Sequence, residues 1–483
     1  MYTSTRNKVN ISASKAILNG LALDGGLYVC ENINSQFFSK KLLNYTYNEL
    51  SEVIFEQFLD DYSKEVIKEI IKNCYDESFL PNQVNLKHFD DFSLLELFNG
   101  ETFAFKDMAL SILPKIFSEA KKINNINNKT IILTATSGDT GSAALSGFGK
   151  IENTFVIVLY PKNGVSEFQK LQMNSYAKDN CILIAVDGNF DECQRIVKEI
   201  FQKVKVKKSI LSSANSINIG RIIPQIVYYF YTYFKLVRSN KIKFNDKINF
   251  TVPSGNFGNI YASYIAKQMG LPVNKLIIAS NSNNVLTEIF NDYKYNINRE
   301  LVKTISPSMD ILVSSNFERY LYSIIKDEKK INNYMNDLKE KQIIYISELE
   351  QEVTFNAYFA SEENTKDFIK IFYDTFGYVI DPHTAVGYYC NVQYKKENKD
   401  NSYNVILSTA SPYKFSESVL NALGLYTTKG LQEQINLLKT ISIENFDSRI
   451  EKVLNAKVKA SDLSTSETFS YVKKVIGDID DQD

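Results

Sequence analysis

From about residue 93 onward the chain alternates short, β-branched apolar runs with stretches of helical period. That alternation restricts the fold more than any other feature of the sequence. "NKTIILTAT" (128–136) predicts a buried strand, followed by the loop "SGDTG" and the helix-like "SAALSGFGK". "TFVIVLY" (154–160) is a second strand, stopped by Pro161, and "CILIAVDG" (181–188) a third. After it, Ile196, Val197, Ile200, Phe201 and Val204 fall on one face of a predicted helix. "KINFTVPSGNFGNIYASYIAKQMG" (247–270) and "KLIIASNSNNVLTEIF" (275–290) repeat the strand-then-helix order. "YNVILSTASPYKF" (403–415) is a late strand ending in hydroxyl residues. Apolar strands joined through helices predict an α/β protein with doubly wound sheets, two of them here, and ligands at the carboxyl ends of strands.

At 483 residues the chain is too long for one core, and a prior of about three domains follows. The pattern divides it into a mainly helical N-terminal region (1–92) with a Gly-rich turn, "LDGGLYV"; a smaller α/β domain (93–237); a larger α/β domain (238–430); and a C-terminal helical segment (431–483). The acidic end, "GDIDDQD", is expected to fray.

Composition narrows the function. The 55 basic and 56 acidic side chains nearly cancel, which gives no electrostatic reason to expect nucleic acid or an anionic membrane as partner. The aromatic run "IVYYFYTYFKLV" (226–237) is too short to span a bilayer core of ~30 Å. The N-terminus lacks the apolar segment of a secretory signal. Five scattered cysteines without a C-x-x-C pair predict reduced thiols. Only two histidines, His88 and His383, argue against a zinc site or Ser-His-Asp chemistry. A cytoplasmic protein without a metal is the expectation. The abundance of Ile, Lys, Asn and Tyr is spread over the whole chain and carries no functional signal.

Two strand–loop–helix junctions carry glycine loops, "TSGDTG" (136–141) and "SGNFGN" (254–259). Such loops let backbone N–H groups converge at a helix N-terminus on a phosphate or carboxylate. Neither is a Walker A loop or a G-x-G-x-x-G, and a tight turn explains either one alone. Together they point to two anionic groups. In "LFNGETFAFKDMAL" (97–110), Lys106 stands in an apolar stretch. Its head either snorkels to water or pairs with Asp107 or Glu101, or it is an amine desolvated among Phe103, Phe105 and Met108 with a lowered pKa. A Schiff-base lysine with a phosphate loop is the minimum set for pyridoxal phosphate, but spacing does not choose between these readings.

A resemblance does. "YTSTR" (2–6), "GLALDGGLYV" (20–29), "LELFNGETFAFKD" (95–107), "TATSGDTGSAA" (134–144), "SANSINIGRIIPQIVYY" (213–229), "VPSGNFGNIYA" (252–262), "SMDILVSSNFER" (308–319), "DPHTAVG" (381–387) and "STASPYKF" (408–415) occur in this order. Together they resemble the threonine synthase family, in its longer bacterial and fungal form, among the fold type II (tryptophan-synthase-β-like) pyridoxal-phosphate enzymes. The resemblance implies that Lys106 carries pyridoxal 5'-phosphate as a Schiff base, and that Gly255, Asn256, Phe257, Gly258 and Asn259 hold its phosphate. It places Asp139 near the cofactor's 3'-oxygen, and Thr409, or else Ser411, at the pyridine nitrogen. Thr140, Asn215, Ser216 and Arg221 are implied for the γ-phosphate of O-phospho-L-homoserine, Ser137 and Gly138 for the substrate carboxylate, and His383 for a structural role. The activity implied is γ-elimination of phosphate followed by addition of water at Cβ, giving L-threonine. The small-molecule substrate is the expected partner, and the chain a monomer or homodimer. A phospholyase of the same fold releasing 2-oxobutyrate, or a non-catalytic relative, are the alternatives.

Overall fold

The computed structural model describes residues 1–79, 82–442 and 447–481. The apolar runs form two sheets. The larger, in the order Phe355–Phe359, Val273–Ser280, Ile248–Pro253, Tyr403–Ser408, Phe92–Glu96 and Asn85–His88, is parallel except for its last edge strand. The smaller runs Ser461–Ser464, Cys181–Asp187, Thr154–Pro161, Lys129–Ala135 and Ser209–Ser212, all parallel. The central strands are apolar without alternation because both their faces are covered. Ile132, Val156 and Val158 pack into the main core, while Ile131, Leu133, Ile157 and Leu159 pack into a second cluster on the opposite face.

Helices follow the pattern the strands impose. The Phe190–Lys203 helix starts on a capping box of Asn189 and Glu192 and buries Cys193, Ile196, Val197 and Ile200; Val204 sits just past its last turn. The aromatic run lies in the Ile223–Arg238 helix, where Ile226, Val227, Tyr228, Tyr229, Phe230, Tyr233, Phe234 and Leu236 have no exposed surface. It packs between the N-terminal Tyr47–Phe58 helix and the Gly258–Gln268 helix. Among the described residues no helix is long and apolar enough to cross a membrane. The N-terminal region adds the Ala13–Asn19 and Lys64–Cys74 helices and an antiparallel pair of Tyr2–Ser4 with Tyr28–Cys30.

Sheet membership departs from chain order at two places. Asn85–His88 and Phe92–Glu96 join the larger sheet although they precede the smaller one in the chain, so residue 92/93 falls inside a strand. The C-terminal segment supplies the edge strand Ser461–Ser464 to the smaller sheet; its sequence, "SDLS", is too polar to announce a strand. The expectation of a frayed acidic end is corrected as far as Asp481. The Thr465–Asp481 helix buries Val472, Ile476 and Ile479, and the Asp480 carboxylate accepts the N–H groups of Lys207 (2.8 Å) and Lys208 (2.9 Å). A buried apolar face outweighs charge at the helix end. Gln482 and Asp483 lie outside the described residues.

The Asp139–Phe148 helix crosses the lysine-bearing segment at very close range: a Cβ on Gly147 would lie 2.2 Å from the carbonyl oxygen of Leu110. Gly147→Ala is therefore expected to lower stability by about 1–3 kcal/mol through overpacking, read as a lower urea midpoint at an unchanged m-value.

Candidate active site

A cleft opens where the carboxyl ends of strands from both sheets meet, as in other open α/β folds. Thr136 and Ser137 leave the Lys129–Ala135 strand, Ser254 leaves Ile248–Pro253, and Thr409 leaves Tyr403–Ser408. These residues line the cleft with Lys106, Thr140, Asn215, Ser216, Arg221, the 255–259 loop, Ser308 and His383. A second crevice is lined by Asn73, Asp107, Leu110, Lys115 and Lys150; neither Lys106 nor either glycine loop lines it.

The loop carrying Lys106 is clipped to the late strand. Phe105 N–H donates to Thr409 O (2.8 Å) and Ser411 N–H to Phe103 O (3.0 Å). Asp107 braces the loop by accepting the N–H (2.8 Å) and hydroxyl (2.6 Å) of Thr102. Glu101 pairs with Lys150 instead. Lys106 thus takes neither neighbour as partner. Its Nζ lies 3.1 Å from Asp139 Oδ2 and 3.1 Å from Ser308 Oγ, with 8 % of the residue exposed.

The expected apolar wrapping is corrected. Of Phe103, Phe105 and Met108, Phe105 lies against the amine, its ring centroid 5.4 Å from Nζ. Phe103 has φ +59° and turns into a different cluster, and Met108 opens the next helical turn into the main core. Residues adjacent in sequence diverge because the chain turns between them.

Burial pushes the Lys106 amine below the ordinary lysine range, and the Lys414 and Arg221 charges act in the same direction against the pull of Asp139. Burial alone would raise the Asp139 carboxyl, but the charges of Lys106 and Lys414 outweigh it and hold it well below the carboxylate range. Burial and like charge thus weaken the hold of Lys106 on its proton, while the two neighbouring ammonium groups keep Asp139 a carboxylate.

The two glycine loops are built differently. In the first, Thr136 Oγ1 accepts the N–H groups of Gly138 and Gly141, each at 2.9 Å, and turns the chain into the Asp139–Phe148 helix. Gly138 has φ +120°, and a Cβ there would lie 2.4 Å from the Gln169 carboxamide. In the second, Phe257 takes a left-handed conformation (φ +60°) at the cap of the Gly258–Gln268 helix, at a cost of roughly 1–2 kcal/mol for a residue with a Cβ. Its ring is anchored with no exposed surface against Phe317 and Tyr320. The hydroxyls of Tyr228 and Tyr229 both donate to Asn259 Oδ1. That fixes the amide so that its buried Nδ2 has no partner, a donor held at a helix N-terminus, where anions bind.

The 213–221 segment brings the remaining residues to the opposite wall. Arg221 is 2 % exposed; its Nη1 donates to Ala214 O (2.6 Å), and its Nε has no partner. Burial lowers the guanidinium to about 10, so it stays charged at neutral pH. Asn215 is engaged elsewhere: its Oδ1 accepts the Thr134 hydroxyl (2.9 Å) and its Nδ2 donates to Ala135 O (2.8 Å), tying the segment to the strand end. Ser216 Oγ accepts from Asn316 Nδ2 at 3.0 Å. Thr409 lines the cleft, whereas Ser411 starts the Pro412–Phe415 turn behind it. His383 Nδ1 lies 2.8 Å from Asp381 Oδ1 and its Nε2 accepts the Ser308 N–H at 3.2 Å, which assigns the ring proton to Nδ1.

Three residues at this site carry no role in the sequence reading. Ser308 bridges Lys106 and Asp139, with Oγ 3.1 Å from each. Gln169 donates from Nε2 to Asp139 Oδ1 at 2.7 Å while its Oε1 completes a capping box with Ser166. Lys414 Nζ lies 3.2 Å from the same Oδ1. The capping box is visible in "SEFQ", and "PYKF" shows the same lysine-among-aromatics signal as "AFKD".

Three family models match in succession. Residues 1–75 match the threonine synthase N terminus, 88–409 the pyridoxal-phosphate dependent enzymes, and 384–461 the threonine synthase C-terminal region. Among curated proteins, threonine synthase from Schizosaccharomyces pombe is 35% identical, the match covering 90% of this chain and 91% of that one. The Pseudomonas aeruginosa threonine synthase is 35% identical over 87% and 90% of the two chains. Among solved structures, yeast threonine synthase superposes with a TM-score of 0.87 at 32% identity, covering 99% of this chain and 98% of that one. The PLP-bound threonine synthase from Brucella melitensis gives 0.86 at 31% identity, covering 100% and 99%. Each family model falls in its own order on a chain whose cleft gathers a buried lysine and two glycine loops, and the chain belongs to the threonine synthase family of pyridoxal-phosphate-dependent enzymes.

Proposed function

We propose that this cleft converts O-phospho-L-homoserine and water to L-threonine and phosphate, with Lys106 as the cofactor lysine and Arg221 as the main ligand of the substrate phosphate. The observation that carries the reading is one buried amine, hydrogen-bonded to Asp139 and Ser308, in a cleft also lined by two anion sites with unused donors.

The residues fit the cofactor. A cradle that side chains at Gly255 and Gly258 would narrow, a helix N-terminus and the orphaned Nδ2 of Asn259 form a phosphate site. Gly255 to Asn259 would hold that phosphate, Thr409, which lines the cleft, would offer its hydroxyl to the ring nitrogen, and Asp139 stands beside the lysine. A neutral hydroxyl there does not favour protonation of that nitrogen. When bound, pyridoxal phosphate supplies the electron sink for negative charge developed at the substrate Cα.

The chain's own groups do the rest. Arg221 and Thr140 bind the γ-phosphate, Ser137 and Gly138 the carboxylate, while Asn215 keeps its loop against the strand and Ser216 ties it to Asn316. Lys106 is the group of this chain placed to take and return the Cα proton, and burial, which lowers its proton affinity, favours that role. Asp139 and Ser308 hold the amine by hydrogen bonds.

Incubation of the purified chain with O-phospho-L-homoserine tests the reading. Threonine and phosphate in equal amounts are expected. Release of 2-oxobutyrate and ammonia without threonine would assign a phospholyase instead.

A further inference from the structure

Lys414 is a second buried lysine, with no exposed surface, and the reaction above does not use it. It stands on the Pro412–Phe415 turn beyond the Tyr403–Ser408 strand. Its Nζ donates to Thr102 O (2.6 Å) and Gln172 Oε1 (2.5 Å) and lies 3.2 Å from Asp139 Oδ1. Two hydrogen bonds and one ion pair thus hold the ammonium. The other carboxylate oxygen, Asp139 Oδ2, faces Lys106 and Ser308. One buried carboxylate is thus bracketed by two lysines from different parts of the fold.

We propose that Lys414 is a positioning residue acting through Asp139: it is the fixed counter-ion that lets Lys106 work as a neutral amine. The proposal rests on the reading of Lys106 as the cofactor lysine. With both lysines charged, the three groups carry one net positive charge, and loss of the Lys106 proton leaves a neutral Lys414–Asp139 pair. Without Lys414 the same loss would strand a buried carboxylate with no partner cation, which is costly. Lys414 therefore lowers the proton affinity of Lys106 by like charge, and it keeps Asp139 paired once Lys106 is neutral. The other charged or titratable groups facing these residues are Arg221, which adds like charge, His383 from the Pro382–Glu397 helix, and Asp107, a buried carboxylate that feels the Lys414 charge and shares Thr102 with it. All three are unaltered in the comparison that follows.

The test uses the full chain freed of cofactor and reductively methylated with formaldehyde and cyanoborohydride across a pH series. Mass spectrometry follows the peptide bearing Lys106. Lys414→Met is expected to raise the midpoint of Lys106 modification by about one pH unit, a tenfold slower reaction at neutral pH, and Lys414→Arg to restore it. A midpoint unchanged in a Lys414→Met chain that melts cooperatively overturns the proposal, as does Lys414→Arg behaving like Lys414→Met. Should Lys414→Met not fold, Lys414→Gln, which keeps a donor for Thr102 O, is read by the same criterion. Formaldehyde reports the amine whether or not the cofactor binds. Failure of the unaltered chain to bind pyridoxal phosphate through a lysine is thus a separate result that overturns the underlying reading.

Discussion

Lys106→Ala is expected to abolish the visible absorbance of lysine-bound cofactor and to lower kcat by at least roughly 10²–10⁴-fold, the contribution of a positioned acid–base group. The loss should be chemical rather than structural. Removal of this side chain leaves Asp139 with Lys414 and Gln169 as partners, so no buried charge is stranded and cooperative melting should persist. Circular dichroism and a thermal melt, run beside an absorbance spectrum with added pyridoxal phosphate, separate the two outcomes. Retention of the band in a folded Lys106→Ala chain would show that another lysine carries the cofactor.

Arg221→Ala should act on the substrate and spare the cofactor band. A hydrogen bond to a charged group is worth about 1.5–3 kcal/mol, so kcat/KM should fall about 10- to 100-fold for each bond to the phosphate that is lost. Arg221→Lys should recover little, because one ammonium does not reproduce the parallel donors of a guanidinium. The buried setting of Arg221, with Nε unused, makes the loss larger than for an exposed arginine. Steady-state phosphate release, measured beside the cofactor spectrum, checks it. An Arg221→Ala chain with unchanged kcat/KM would move the phosphate site elsewhere in the cleft.

The parts of this molecule visible in its sequence share one physical cause. Strands such as Lys129–Ala135 and Thr154–Pro161 are buried on both faces, so they must be apolar throughout and are easily read. Ser461–Ser464 is a polar edge strand whose place depends on its partner, Cys181–Asp187, and nothing local specifies it. The same division runs through the site. Glycine loops announce themselves because few other residues make such turns, as at Gly138 with φ +120°. The environment of Lys106 does not, because Asp139 and Ser308 reach it from 33 and 202 residues away. "AFKD" and "PYKF" look alike as strings, yet Lys106 lines the cleft and Lys414 lies wholly inside the protein. Composition could not separate the two lysines; the resemblance to a known family chose between them, and tertiary contacts gave each its partners.

Trapping with borohydride tests the central assignment most directly. Reduction of the cofactor-loaded chain, followed by proteolysis and mass spectrometry, should place the phosphopyridoxyl group on the peptide containing Lys106 and nowhere else. The label on Lys414, on any other lysine, or on none would contradict the account.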